Sequence, residues 1–578
     1  RRGPDASGIW ISRNKNIVLG HRRLSIIDLS ANANQPMIND DESLSLVFNG
    51  EIYNFLELKE DLKKRYKFKT NSDTEVILAL YSIYGVDFVE KLRGMFSIAI
   101  WDNSKSKLFL SRDGYGIKPL YYFYDEKKVI FSSQVKPFLN CRSISLTTSP
   151  GGVVSFLNNG YIQEPFTLYN EIKALPAGTS AEFHLSDRSI SCNIKKHTCI
   201  KSIWEESGQI SINTSDAKEA IEEGLKESVR YHLVSDVPIG LFLSSGIDSS
   251  ALLGLINNQS DCLAEIKSLT LGFPSYEGTK NDETIIASEI ANYFNSDHYS
   301  YIVKNEEMEK VYDDIFQAMD QPSIDGINSY LISKFAKDLN LKVAISGLGG
   351  DELFGGYPSF SQLHYIHRYT KLVSKINKFV LTYEFLFDKF NFISDFIHPK
   401  AKYIFRSGKR IQDLYNLKRS VYPVPEIKNF LESEFVEQGT EELQKFNEEN
   451  ISRKHKKLES QNFMEISFLE SSRYMRNQLL RDADWASMYH SLEVRTPLVD
   501  THLLKKIAPY LLSIKTTNKK SCLLDSAGFD DYFKNKILNR PKSGFTTPVS
   551  ELRYGDKIEN KSWEKLWSRE IFTKFLST

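Results

Sequence analysis

Two runs of small residues in the back half of the chain carry the clearest chemistry. Ser244-Ser245-Gly246-Ile247-Asp248-Ser249-Ser250 follows an apolar run and opens a helical pattern. Serine and glycine let backbone N–H groups close around a phosphate, and a helix N-terminus behind them adds a favourable dipole. The same spelling also serves an ordinary Ser-rich N-cap. It lacks the Gly-Lys-Ser/Thr element of a Walker loop. A second run follows another strand pattern: Ser346-Gly347-Leu348-Gly349-Gly350-Asp351-Glu352-Leu353-Phe354-Gly355-Gly356-Tyr357. Its glycines permit close backbone approach to a ligand, and Asp351 could hold a cation. Two such loops after neighbouring strands fall at the carboxyl edge of one sheet, where open α/β sheets bind ligands.

Each loop needs a strand before it and a helix behind it. A helix pattern covers 215–234, a short buried strand 238–243, and a helix begins over 251–257. Strand then helix recurs at 268–273 and 283–294, with a further strand at 342–345. This alternation predicts a parallel sheet with helices on its faces. Beyond Tyr357 the chain reads as mainly helical, with 361–460 a helical insertion without a recognisable motif. The front part uses a different grammar. Short β-rich pieces at 16–20, 44–48, 96–101, 107–111, 120–124 and 129–132 are interrupted by helices over 55–64 and, after a cap at Ser72/Asp73, over 74–84. Residues 193–208, rich in Lys, Ser and Glu, mark the change.

The chain has 578 residues, with 74 Lys plus Arg, 74 Asp plus Glu and 41% hydrophobic side chains. That is ample core for roughly two to four domains. A formal charge of zero leaves no net-basic footprint for nucleic acid. No uncharged apolar stretch approaches the ~18 residues of a membrane helix. Cys141, Cys192, Cys199, Cys262 and Cys522 are too few and too scattered for a disulfide framework or a zinc module, and they fit a reducing cytoplasm.

The first loop resembles the Ser-Gly-Gly-x-Asp-Ser-Ser pyrophosphate loop of ATP pyrophosphatases, which adenylate carboxylates. Ser245 stands where that pattern has its first Gly. Ordered motifs over nearly the whole chain then resemble the glutamine-hydrolysing asparagine synthetase family. In front these are Arg2-Gly3-Pro4-Asp5, His21-Arg22-Arg23-Leu24-Ser25-Ile26-Ile27-Asp28, Asn49-Gly50-Glu51-Ile52-Tyr53-Asn54, Ser72-Asp73-Thr74-Glu75, Leu92-Arg93-Gly94-Met95-Phe96 and Arg112-Asp113. Behind come the two loops, Ser491-Leu492-Glu493-Val494-Arg495-Thr496-Pro497 and Arg540-Pro541-Lys542-Ser543-Gly544-Phe545.

The resemblance implies an α/β multidomain protein. Residues 1–205 would form a class II glutaminase with the N-terminal-nucleophile hydrolase αββα sandwich. Residues 210–578 would form an adenine-nucleotide α-hydrolase-like parallel-sheet domain with a helical extension. By resemblance, Arg23 forks the α-carboxylate of glutamine, Asp73 and Glu51 take its α-ammonium, and Asn49 with the Gly50 N–H forms the oxyanion hole. Ser244, Gly246, Ser249 and Ser250 would cradle pyrophosphate, and Asp248 and Asp351 would bind Mg²⁺. Ser346 and Gly347, with Phe242 and Leu271 from adjoining strands, would meet the ATP adenine and ribose. Lys519 or Lys520 is a candidate phosphate-neutralising cation. The family nucleophile is an N-terminal Cys whose α-amine serves as base. None precedes Cys141, so the expectation is a chain that begins inside its glutaminase domain, with an inactive glutaminase as the alternative. The implied partners are glutamine and a small carboxylate, and a homodimer is a family expectation only.

One position departs from the family. Asparagine synthetases carry Glu directly after the Ser-Gly of the second loop, and here it is Leu348, which has no acid–base capacity. The segments Asp320-Gln321-Pro322-Ser323-Ile324-Asp325-Gly326-Ile327-Asn328 and Leu480-Arg481-Asp482-Ala483-Asp484-Trp485-Ala486-Ser487-Met488 resemble a sister subgroup. Members of that subgroup often resemble enzymes of surface-polysaccharide pathways, where a sugar uronic acid is converted to its uronamide. The expected acceptor is therefore a sugar uronate, with aspartate as the alternative. A β-lactam-synthetase-like cyclase and a non-catalytic paralogue are further alternatives.

Overall fold

The computed structural model describes residues 2–186, 189–210, 212–259, 266–373, 400, 403–408, 410–446, 458–540, 548–554 and 563–576. Arg1, Cys262, much of the 361–460 insertion and Pro541-Lys542-Ser543-Gly544-Phe545 lie wholly or partly outside them.

The front half is built on a six-stranded antiparallel sheet. Its order is Ile190–Lys196, Thr179–Leu185, Lys107–Arg112, Gly94–Asp102, Leu44–Ile52 and Met37–Ile38. Gly94–Asp102 and Lys107–Arg112 are buried along nearly their whole length, because layers cover both faces. One cover is the helix Asp73–Tyr84, buried from Asp73 through Tyr81. Two smaller antiparallel sheets join Ala6–Ile11 to Val18–Arg23, and Tyr121–Tyr124 to Val129–Ser132 and Lys173–Ala174. The strand expected at 16–20 runs instead as Val18–Arg23, because its register is set by pairing with Ala6–Ile11, which lies outside the expected set.

The back half holds a five-stranded sheet in the order Asp297–Ile302, Lys267–Gly272, Ile239–Phe242, Val343–Ile345 and Glu493–Arg495. All four pairings are parallel. The two small-residue loops leave the adjacent strands Ile239–Phe242 and Val343–Ile345 at the same edge. The helix after the first loop begins at Ile247, earlier than the expected 251, and covers Ile247–Asn257. Among the described residues, no helix is long and apolar enough to cross a membrane.

The two halves share one interior. A single cluster of buried side chains runs from Leu46 and Val76 through Tyr115 to Leu241, Ile345 and Leu503. The Lys-, Ser- and Glu-rich stretch at the boundary takes part in it. It contains the end of a strand and then the helix Ile200–Ser207, which buries Ile200, Ile203, Trp204 and Ser207. That spacing is one helical face, hidden in the sequence by the charges on the other. The Trp204 ring meets Phe463 edge-on at 5.9 Å. Charged pairs buried at the boundary add to this contact. Arg93 reaches Asp500 at 2.6 Å, and Arg2 reaches Asp484 at 2.9 Å.

Trp204→Ala should remove about 3–5 kcal/mol from the stability of the full chain, as truncation of a large core aromatic does. Denaturant unfolding reads this directly. A loss below about 1 kcal/mol would count against the boundary helix being part of the common core.

Candidate functional site

The strand Leu44–Ile52 carries Asn49, Gly50 and Glu51 inward, opposite Ser97, Phe96 and Met95. Gly50 has φ +150°, and a Cβ there would overlap the Met95 carbonyl oxygen, so only glycine keeps this strand against its neighbour. Asn49 and Glu51 share a face, because side chains alternate along a strand. Each holds a buried atom without a partner: Asn49 Nδ2, a donor, and Glu51 Oε1, an acceptor. Buried polar groups left open are costly, which makes this a place where a ligand can complete the bonding. Glu51 Oε2 is occupied by Arg495 Nη2 at 2.9 Å.

Asp73 opens the helix Asp73–Tyr84, where Ser72 Oγ accepts from Thr74 N at 3.2 Å. Asp73 Oδ2 accepts from Ile52 N at 3.1 Å, which ties the helix start to the end of the Asn49–Glu51 strand. Burial pushes the Asp73 carboxyl up to about 6 in spite of that bond. Arg23 ends the strand Val18–Arg23, and its guanidinium is committed to its own chain. Nη1 donates to Ser30 O at 2.9 Å and Asn34 Oδ1 at 3.1 Å, and Nη2 donates to Ile27 O at 3.1 Å and Asp28 O at 2.5 Å. The bidentate fork expected for a ligand carboxylate is thus closed on residues 27–34. A ligand would have to meet Nε–H or displace one of these oxygens.

At the edge of the parallel sheet lies a cavity of about 910 Å³. Phe242, Ser244, Gly246, Asp248, Ser249, Ser346, Gly347, Leu348 and Asp351 line it. Two expected contacts do not. Leu271 is 3% exposed and packs in the core, and Ser250 turns inward to donate to Gly246 O at 2.7 Å. The first loop is pinned by its own serines: Ser244 Oγ and Ser249 Oγ lie 2.9 Å apart, and Gly246 N donates to Ser244 Oγ at 3.1 Å. A Cβ on Gly350 would overlap the Asp248 carboxylate, so the second loop touches the first through bare backbone.

Asp248 and Asp351 converge on one ammonium. Lys520 Nζ pairs with Asp351 Oδ1 at 2.7 Å and also with Asp248 Oδ1. Burial pulls the Lys520 pKa down, but the two carboxylates outweigh it and the net shift is upward. Lys519 faces the other way, with Nζ donating to the Leu511 and Ile514 carbonyls and lying over the Phe463 ring. Of the two candidate lysines, only Lys520 reaches the cavity. Two carboxylates from separate loops that already share a cation are a donor set that suits Mg²⁺, which takes one or two carboxylates beside phosphate oxygens.

Asp325, Gly326, Asn328, Tyr474, Gln478 and Asp482 also line the cavity. Asp325, Gly326, Asn328 and Asp482 come from the two segments that depart from the family, joined by Ser323 Oγ donating to Asp482 Oδ2 at 2.6 Å. Trp485 Nε1 donates to Asp482 Oδ1 at 2.7 Å. Burial, helped by the neighbouring Asp325, pushes Asp482 up to about 8. Tyr474 and Gln478 belong to Glu470–Leu480, an 11-residue π-helix whose other side carries Arg476, bonded to Tyr115 O of the front half at 3.0 Å. No periodicity in the sequence announces such a turn.

Comparison with known proteins gives these elements a lineage. Residues 1–193 match the glutamine amidotransferase domain family, and residues 220–573 match asparagine synthase. Asparagine synthetase 1 (glutamine-hydrolyzing) of Bacillus subtilis is 30% identical over 572 residues, 97% of this chain and 84% of that one. Asparagine synthetase B (glutamine-hydrolyzing) of Escherichia coli is 32% identical over 386 residues, covering 63% and 62% of the two chains. Amidase chry2 of Gibberella zeae is 31% identical over 374 residues, covering 62% of this chain and 54% of its own. With a glutamine amidotransferase front and a synthase match over more than half its length, the chain belongs to the asparagine synthase family.

Proposed function

We propose that this asparagine-synthetase-like amidotransferase uses ATP to adenylate the carboxylate of a sugar uronic acid, for surface-polysaccharide assembly, and amidates it with ammonia from glutamine. In balance, ATP, carboxylate, glutamine and water give amide, AMP, pyrophosphate and glutamate. The division of labour would fall near residues 205–210, glutaminase before and synthetase after, with 361–460 as an insertion in the latter.

The observation that carries the ATP-dependent part is the meeting of Asp248, Asp351 and Lys520 between two glycine-bearing loops from adjacent parallel strands. Ser244, Gly246 and Ser249, at the start of the helix Ile247–Asn257, have the groups to hold pyrophosphate. Phe242, Ser346 and Gly347 would flank the nucleoside. Asp248 and Asp351 would hold Mg²⁺, which when bound offsets the charge of the phosphates. Lys520 would release its carboxylates to that cation and turn to phosphate oxygen. In front, Asn49 Nδ2 and the Gly50 N–H would stabilise the developing oxyanion. Glu51 and Asp73 would take the α-ammonium of glutamine, and Arg23 its carboxylate through Nε–H.

Leu348 on the cavity wall supports an acceptor other than aspartate, since the base must come from elsewhere or the ammonia must arrive neutral. The lining groups Asp325, Asn328 and Gln478 suit a ligand rich in hydroxyls. The names of the bacterial relatives favour a second reading, aspartate. A screen of pyrophosphate release with ATP and ammonia over sugar uronates and aspartate separates the two. Turnover with aspartate alone would sink the uronate reading.

Two substitutions test the residue roles. Asp351→Asn should lower pyrophosphate release by about 100-fold or more, as loss of a group that stabilises transferring charge does. A rate within a few-fold of wild type would remove Asp351 from the site. Asn49→Ala should cut glutamine-driven amide synthesis by about 10²–10³-fold, with a much smaller loss when ammonia is supplied. Equal losses with both nitrogen donors would mean that Asn49 has no part in an oxyanion hole.

A further inference from the structure

Arg495 is 0% exposed and every bond of its guanidinium reaches a different place. Nε donates to Glu493 Oε1 at 2.8 Å. Nη1 donates to the carbonyls of His232 at 3.0 Å and Val234 at 2.6 Å. Nη2 donates to Glu51 Oε2 at 2.9 Å. Its backbone lies opposite Ile345 in the parallel sheet, and its carbonyl accepts from Ser346 N at 2.9 Å. One residue therefore borders the second nucleotide loop and grips a carboxylate of the glutaminase half. The opposite oxygen of that carboxylate, Glu51 Oε1, is buried and open, as is Asn49 Nδ2 on the same strand face. A carboxylate with one oxygen anchored by a guanidinium N–H and the other left bare is set to receive a cationic group.

We infer that Arg495 is a positioning residue for glutamine: from the synthetase side of the boundary it holds Glu51 turned so that Oε1 is left for the α-ammonium of the amino acid. The inference rests on the glutaminase reading above. Arg495 also favours the charged form of the carboxylate, against a larger opposing effect of burial. Burial drives the Glu51 pKa well above the ordinary range, opposed by Arg495, while Asp73 and Glu493 add to the rise and Lys118 opposes it. Tyr53, just past the end of that strand and buried, has its own phenol pushed far up and stays neutral. Of the facing groups, Asp73 comes from the helix Asp73–Tyr84, Glu493 and Arg495 from the edge strand Glu493–Arg495, and Lys118 from the loop before Tyr121–Tyr124. Without the Arg495 cation, Glu51 keeps its proton to higher pH. An ammonium then meets a neutral acid until the pH is raised further.

The test is calorimetric titration of the full-length protein with glutamine across about pH 5.5–8.5, which needs no turnover. Arg495→Met should weaken glutamine about 10-fold or more near neutrality and move the pH midpoint of binding upward. Arg495→Lys keeps a charge but loses the fork, and should fall between Arg495→Met and wild type in both affinity and midpoint. A purely structural role for Arg495 would lower the unfolding temperature without moving that midpoint, and would overturn the inference. So would wild-type affinity and midpoint in both variants. Should Arg495→Met fail to fold, Arg495→Lys decides alone: a weakened, upshifted profile supports the inference, and a wild-type profile overturns it. If wild type binds no glutamine at any pH, the glutaminase reading itself falls and takes this inference with it.

Discussion

The cavity at the parallel-sheet edge is governed by a close approach: two carboxylates, Asp248 and Asp351, held against one ammonium, Lys520, at the seam between two loops. Two negative charges with one positive leave an excess of one, which a partly buried site tolerates only with short, well-directed contacts. Such contacts need neighbours without side chains. Gly350 lies against the Asp248 carboxylate and Gly356 against Asp351, and a Cβ at either position would occupy the space of the oxygen it faces. The glycines are thus set by where the charges must stand. The parallel pairing of Ile239–Phe242 with Val343–Ile345 fixes the distance between the loops, and the remainder of the fold steadies that pair of strands.

The glutaminase half is attached to this arrangement by buried polar bonds as well as by apolar packing. Arg93 with Asp500, Arg495 with Glu51, and Arg476 with the Tyr115 carbonyl all cross the boundary. Leaving any one of these charges without its partner would strand an ion away from water, a larger penalty than the pair itself is worth. The π-helix Glu470–Leu480 belongs to both sides. Tyr474 and Gln478 look into the cavity while Arg476 and Asn477 bond the front half, Asn477 Oδ1 accepting from Glu164 N at 2.8 Å.

What could be read from the sequence follows how local each signal is. The Ser244–Ser250 loop, the Asn49-Gly50-Glu51 run and the Ser72 cap are local. Small residues after a strand, or a capping serine before an apolar run, mean much the same in any surroundings. The choice between Lys519 and Lys520 is not local, because it depends on which side of a short helix faces Asp248 and which faces the Leu511 and Ile514 carbonyls. Arg23 stands out in its motif, yet its commitment to residues 27–34 depends on how that loop folds back. For Leu271 the family resemblance points to the ligand, but the depth of its strand position puts it in the core. The helix Ile200–Ser207 is hidden in the sequence because its charged outer face dominates the composition.

The shared interior bears on how such an enzyme can evolve. Sequence presents two modules in tandem, and tandem modules invite exchange by recombination. Here the joint is itself part of the core, through Trp204, and a single apolar cluster extends from Leu46 to Leu503 without regard to the junction. A glutaminase half borrowed from a relative would bring a surface shaped to a different partner, and both pieces would meet water with apolar faces exposed. New function in such a chain is therefore reached more readily by single substitutions that leave the shared core intact than by the swapping of halves.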